Sequence, residues 1–307
     1  MGFNMASLSQ RIIRAGFGIA EHIAPALAGH AAFALFARTP DPNALSEGAR
    51  RAVERATPLL AQARRHCLTT RFGRVTAFEF RPSASAGRRG TVLVLHGWAS
   101  RTEFMKAIIE GYCDAGYRVV SLDLPGHGQS GGRSLNMVTA VEAVRVVGEW
   151  FGPFTAAVGH SFGGAIALNA IAGSVKDVAP LAAERLVMIA APSSMPSIFE
   201  GFARMVNLGR RSYRIFAGRV ERLAGYPLDH YVGSHLLRRV SPQTLVIHAR
   251  DDREVSADEA LDHDSAGDHV RLEWADGLGH RRILADTEVV RKAVAFVAEQ
   301  KGAALAY

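Results

Sequence analysis

Ser161 lies within Gly159-His160-Ser161-Phe162-Gly163, a G-x-S-x-G element between an apolar run, Phe154–Val158, and a helix-forming one, Gly164–Ala170. A serine on a sharp strand-to-helix turn has its hydroxyl pushed outward, and glycines two residues to either side let strand and helix approach closely. A hydroxyl is a weak nucleophile at neutral pH, so such a serine needs a histidine to take its proton and a carboxylate to orient that histidine. Both residue types follow downstream. Thr244–His248 is an apolar, β-branched run that leads into Asp251 and Asp252, and Val270–Trp274 alternates as a half-buried strand before Gly277-Leu278-Gly279-His280. The chain order is Ser161, then Asp252 or Asp251, then His280, a set suited to acyl transfer.

The elements that must position these residues alternate along the chain. Leu68–Thr70 and Arg74–Arg81 read as an antiparallel pair about Phe72-Gly73; Thr91–Leu95, Tyr117–Leu122, Phe154–Val158, Arg185–Ile189, Gln243–His248 and Val270–Trp274 follow as strands. Amphipathic stretches near 102–115, 134–150, 161–173, 256–263 and 286–300 read as helices. Strands alternating with helices predict an α/β fold with a mostly parallel sheet covered on both faces, in which ligands gather beyond the carboxyl ends of the strands. Ser161, the two aspartates and His280 all fall at such ends.

The alternation stops between Pro192 and about Val240. Ile198, Phe202, Met205 and Val206 share one helical face there, and Tyr213, Phe216, Val220 and Leu223 share another. The spacing predicts a small helical insertion, because no connecting helix needs that length. Its eight arginines against three acids suit a solvated outer face.

Ahead of the strands, Ala15 to Ala37 is apolar and preceded by Arg11 and Arg14. Glu21, His22, Pro25 and His30 argue against a membrane-spanning helix or an export signal. Ile12, Gly16, Ile19, Ile23 and Leu27 recur at helical spacing, which predicts an amphipathic helix docked on the body through that stripe, with membrane-surface contact as the alternative. After the breaker cluster at 38–42, residues 44–65 resume a helical, arginine-rich pattern. The expected divisions are an N-terminal helical extension over 1–65, a core over 66–191 and 241–307, and the helical insertion over 192–240.

A chain of 307 residues with 48% hydrophobic content is sufficient for a two-sided sheet. Cys67 and Cys113 are its only cysteines and lack metal-ligand spacing, which argues against a zinc site or a disulfide framework and makes a reduced, cytoplasmic setting the expectation. The net charge of +7 is concentrated at one end: residues 1–90 hold 13 arginines and no lysine against 5 acids. No basic cluster with interleaved aromatics accompanies them, so nucleic-acid binding is not expected. His96, His127 and His160 sit in turn sequences and are expected to make local hydrogen bonds, as is Asp123 at a strand end.

Four elements in order make the chain resemble the α/β-hydrolase family over most of residues 70–300: Leu95-His96-Gly97-Trp98, then Asp123-Leu124-Pro125-Gly126-His127-Gly128-Gln129-Ser130, then the Ser161 turn, then the late Asp and His. The family's usual acid stands three residues before a valine, which implies Asp252, ahead of Val255, with Asp251 left to cap a turn. The resemblance also implies an oxyanion site made by the backbone N–H groups of Trp98 and Phe162, and a cap over the nucleophile formed by the insertion. Phe199, Phe202, Met205, Phe216 and Leu223 are then the candidate substrate-binding side chains. No metal or organic cofactor is implied.

The expected function is a serine hydrolase of small-molecule carboxylic esters or related acyl bonds, with Ser161, His280 and Asp252 as its triad. Relatives that open epoxides or cleave carbon–halogen bonds carry an aspartate in place of the serine, which argues against both reactions. Lipase, lactonase, thioesterase, carbon–carbon bond hydrolase and cofactor-free haloperoxidase chemistry stay open. A non-catalytic binding protein on the same fold is the alternative of another class.

Overall fold

In the computed structural model, residues 8–82 and 89–299 are described. Residues 1–7 and 300–307, which the expected extension and core ranges include, lie outside them. Three helices come first, α1 Leu8–Ile23, α2 Pro25–Ala37 and α3 Glu47–Leu60. Pro25 separates the first two at the position where a missing N–H is tolerated, the first helical residue.

The strands are β1 Arg64–Thr70, β2 Gly73–Phe80, β3 Thr91–Leu95, β4 Arg118–Asp123, β5 Phe154–His160, β6 Ala183–Ile189, β7 Gln243–His248 and β8 Val270–Trp274. They form one sheet in the order β1-β2-β4-β3-β5-β6-β7-β8. β1 and β2 pair antiparallel, β2 joins β4 antiparallel, and every pair from β4 to β8 is parallel. β1 begins at Arg64, within the range expected for the extension.

Alternate residues of the buried strands feed two cores. Leu93 and Leu95 of β3 join Ala157 and Val246 in one; Val92 and Val94 join Val158, Leu245 and Ile247 in the other. The second core is covered by α4 Lys106–Asp114 and, near the C-terminus, α12 Thr287–Ala298, with Leu59 of α3. The first is covered by α5 Met137–Phe151, α6 Phe162–Ile171 and α10 Ala257–Asp264. α6 is buried along its whole length, which suits its sequence of glycine, alanine and aliphatic residues. α5 opens on a capping box in which Asn136 and Thr139 bond each other's backbone N–H.

Between β6 and β7 the chain forms α7 Met195–Val206, α8 Arg210–Ala224, a 3₁₀ turn Leu228–Tyr231 and α9 Gly233–Leu237. α2 packs along α8, where Gly29 has no room for a side chain: a Cβ there would stand 2.6 Å from Ile215 Cβ.

The stripe expected to dock α1 faces solvent instead. Ile12, Ile19, Ile23 and Leu27 are 62–78% exposed. Ile13 and Phe17 make the apolar contact with the body. Polar anchors decide the orientation: Arg14 donates to the carbonyls of Arg204 (2.9 Å) and Met205 (2.6 Å) at the end of α7. Glu21 accepts from the N–H groups of Arg211 and Ser212 at the start of α8, at 2.8 and 3.0 Å. Each charge meets the helix end whose partial charge complements it.

Candidate active site

Ser161 occupies the turn between β5 and α6 with φ 53° and ψ −127°, a conformation that L-residues rarely adopt. Its surroundings hold it there. Ser161 N–H donates to Ile189 O at 2.8 Å, and its carbonyl accepts from Gly164 N at 2.9 Å. The flanking glycines are required by close approach: a Cβ on Gly159 would stand 2.4 Å from the backbone of Gly163, and one on Gly163 would stand 2.4 Å from the carbonyl oxygens of Leu95 and His96. Ser161 itself is only half-buried.

His280 sits on α11 Gly279–Arg282, after Gly277 and Gly279 take φ of 83° and 57°. Its Nδ1 lies 2.7 Å from Asp252 Oδ2. The other oxygen, Asp252 Oδ1, accepts from Glu254 N (2.7 Å) and Val255 N (3.0 Å). Burial alone would raise the Asp252 carboxyl; hydrogen bonds from His280, Val255 and Glu254 outweigh it and hold the group below the usual carboxylate range.

Asp251 does not cap a turn in its own loop. Its Oδ1 accepts the Gly277 N–H at 2.8 Å, tying the Asp252 loop to the loop that leads to His280. Asp276 returns the tie by accepting Arg250 N at 2.9 Å, and Arg281 bonds Glu254 at 2.9 Å. Sequence reasoning missed Glu254, whose Oε2 stands 4.0 Å from His280 Nε2. A single acid two residues after Asp252 carried no signal of its own.

His160 connects the serine turn to the histidine loop. Its Nε2 donates to the His280 carbonyl at 2.9 Å, and the two rings lie 4.8 Å apart between centroids. Burial, with the His280 ring beside it, pushes the His160 pKa down to about 3. His96 Nε2 accepts Leu124 N (3.0 Å), and His127 Nε2 accepts Ala99 N (3.0 Å). Asp123 accepts Thr102 N (2.9 Å) and Gln129 N (2.7 Å), joining the two turns that follow β3 and β4.

Gly97 brings the turn after β3 against the serine, since a Cβ on Gly97 would stand 3.0 Å from Ser161 Cβ. The next N–H, that of Trp98, meets no acceptor among the described residues. Phe162 opens α6, so its N–H has no acceptor within the helix. The Trp98 ring is edge-on to those of His127 and Phe162, with centroids 5.6 and 6.2 Å away.

An apolar cleft of about 470 Å³, open solvent at its mouth included, lies between α2, α5, α7 and α8; Phe162, the residue after Ser161, is in its lining, and Ser161 and His280 are not. Phe199 and Leu223 line it, as expected. Phe202, Met205 and Phe216 do not; they are packed into the core beneath. Two walls come from the N-terminal extension, Phe33 and Phe36, and Asn136, Met137, Met195 and Tyr231 add others. The extension's share of this lining was invisible in the sequence, because α2 lies far from the insertion along the chain. Among the described residues, no group of three or more His, Cys, Asp or Glu is arranged to hold a metal ion.

A mostly parallel sheet with a strained serine after β5, and an Asp–His pair beyond β7 and β8, define a hydrolase-type architecture. A model of the alpha/beta hydrolase family matches residues 92–293, and the chain belongs to that family. A curated relative, the dihydrolipoyllysine-residue acetyltransferase component of the acetoin cleaving system of Cupriavidus necator, is 32% identical over 141 residues. That match covers 45% of this chain and only 34% of the relative. Among solved structures, an esterase of Pyrococcus furiosus is similar with a TM-score of 0.58 and 18% identity over 80% of this chain and 96% of that one. Est1E of Butyrivibrio proteoclasticus, solved with ferulic acid bound, has a TM-score of 0.59 and 15% identity over 76% of this chain and all of its own (100%). At these identities the structural likeness shows the fold alone. No described helix is long and apolar enough to cross a membrane.

Proposed function

We propose that the protein is a serine hydrolase that cleaves carboxylic esters or related acyl bonds through an acyl-enzyme. The observation that carries this reading is the 2.7 Å contact between His280 Nδ1 and Asp252 Oδ2, on a histidine whose own carbonyl is bonded to His160, the residue before Ser161.

The Asp252 carboxylate accepts the hydrogen bond from His280 Nδ1–H, which fixes the tautomer whose Nε2 lone pair acts as base and stabilises the imidazolium once it forms. Ser161 Oγ attacks the substrate carbonyl while its proton passes to His280 Nε2. The oxygen that gains charge is held by the N–H groups of Trp98 and Phe162, aided by the N-terminal end of α6. Collapse of the tetrahedral species breaks the carbon–oxygen bond to the leaving group, which departs with the proton from His280. Water then repeats the cycle: it gives a proton to His280, attacks the acyl carbon, and frees the acid and Ser161.

The helices over 192–240, together with α2, act as a cap, and the apolar cleft receives the acyl part. Its lining is almost wholly apolar: Asn136 Oδ1 caps α5 by accepting Thr139 N–H, and the Tyr231 hydroxyl donates to Ser174 O (3.0 Å), which favours uncharged acyl chains. A fluorophosphonate probe is expected to label the purified chain at Ser161, and Ser161→Ala to abolish labelling. An unlabelled, correctly folded chain would favour a binding protein on the same fold.

A further inference from the structure

α1 presents its apolar stripe outward. Taking 100° per residue, Leu8, Ile12, Ile19 and Ile23 fall within about 60° of one another on the helix surface. Arg14, Phe17 and Glu21, which meet the body, fall on the opposite side. Leu8 is 75% exposed and Ile23 78%, and Leu27, in the first turn of α2, is 69% exposed. The aliphatic side chains recur at intervals of four, seven and four residues across four turns, with the exposed Gly16 in the wide interval. Four aliphatic side chains aligned on one face differ from the single exposed aliphatic residues scattered over ordinary surfaces.

The arginine that flanks the stripe on α1 has no acid of that helix beside it. Glu21 is the only acid on α1, and it points inward to cap α8. Arg11 flanks the stripe in solvent, while Arg210, exposed at the start of α8, lies on the body side of α1 where Glu21 docks. Neither has an ion-pair partner among the described residues, and Arg14 is spent on carbonyls rather than on a carboxylate. A second copy of the chain seated on this face would offer Arg11 an identical helix whose single acid, Glu21, is turned to the body. An anionic lipid surface would accept the aliphatic side chains below its headgroups and pair Arg11 at them.

We infer that α1 is an interfacial helix that docks the protein on an anionic membrane surface, lying in its plane with Leu8, Ile12, Ile19 and Ile23 immersed. This requires no step of the serine chemistry. The docking is reversible in kind, because one short amphipathic helix immerses only four or five aliphatic residues.

The full chain is tested by co-sedimentation with vesicles of phosphatidylcholine alone and of an equimolar mixture with phosphatidylglycerol. Binding is expected to the anionic vesicles, to weaken with added salt and to be weaker on the neutral ones. The double variant Ile12→Asp, Ile19→Asp should reduce the bound fraction by about tenfold or more. Its melting temperature should match the parent's, since both positions face solvent. Arg11→Glu should weaken binding to the anionic vesicles alone, and Ile12→Leu should bind as the parent does. The inference fails if the parent sediments with neither vesicle, or if the double aspartate variant binds as well as the parent. It also fails if light scattering finds a dimer that the aspartate pair dissociates while vesicles capture nothing, an outcome that assigns the face to a second copy.

Discussion

Phe36, on α2, stands edge-on to Phe199, on α7, with ring centroids 5.1 Å apart, so a wall of the cleft is built jointly by segments more than 160 residues apart in the chain. Phe36 is also edge-on to Phe202 and Phe216 at 5.2 and 5.8 Å. Trimming this ring should open the cleft. Phe36→Ala is expected to move the preferred p-nitrophenyl ester toward longer acyl chains, read as a shift of the kcat/KM maximum across a series from acetate to palmitate. An unchanged profile would place the acyl chain elsewhere.

The same aromatic cluster gives the extension a structural role. Phe33 is buried against Phe216, and Arg219 lies 4.9 Å over its ring. Phe33→Ala removes a buried aromatic side chain and should lower unfolding stability by about 3 kcal/mol, measured by urea denaturation. A loss below about 1 kcal/mol would mean that α2 contributes little to the fold.

Under the proposed mechanism, loss of the Ser161 hydroxyl removes the acyl-enzyme route entirely. Ser161→Ala should reduce kcat by about 10⁴–10⁶ with a melting temperature close to the parent's. Retention of a tenth of the activity would exclude Ser161 as the nucleophile.

The two adjacent aspartates should behave differently. Asp252→Asn presents His280 with an amide and favours the wrong tautomer, so kcat should fall by about 10³–10⁴. Asp251→Asn keeps an oxygen able to accept from Gly277 N–H, so its effect should be at most about tenfold on kcat and be accompanied by a small drop in melting temperature. The opposite ranking would move the orienting role to Asp251.

Acid should destabilise the fold through histidines held neutral. Burial holds His96, His127 and His263 at about 4 and His160 at about 3, against 6.5 for the free side chain. Below pH 6.5 the unfolded chain binds protons that the folded chain refuses, so the stability present at neutral pH is lost as pH falls from about 6.5 toward 4. Each such histidine contributes a slope of up to about 1.4 kcal/mol per pH unit. His263 separates this effect from the proposed catalysis, because among the described residues neither of its ring nitrogens has a hydrogen-bond partner, in the triad or elsewhere. His263→Leu should flatten the slope in urea titrations between pH 4.5 and 7 and leave neutral-pH stability equal or higher.

Much of the sheet and the order of the site were legible because local rules dictate them. β3, β7 and β8 have the bounds that their apolar or alternating runs predict, since a strand buried between helices needs little but contiguous side chains of the right shape. The serine turn was legible for a similar reason: Gly159 and Gly163 sit where any side chain would strike backbone. Periodicity established α1 as amphipathic, yet it could not say which face would find a partner. That choice was made by Arg14 and Glu21, which meet the C-terminal carbonyls of α7 and the N-terminal N–H groups of α8 about 190 residues away. The role of Asp251 and the entry of Phe33 and Phe36 into the cleft have the same origin. Sequence by itself determined the parallel sheet, the strained serine turn and the order of Ser161, the Asp251-Asp252 pair and His280 at strand ends, all of which follow from short-range sterics and chain order. Only the tertiary structure decided which helix faces are covered and which side chains line the cleft, because those depend on contacts between segments that no local spacing relates.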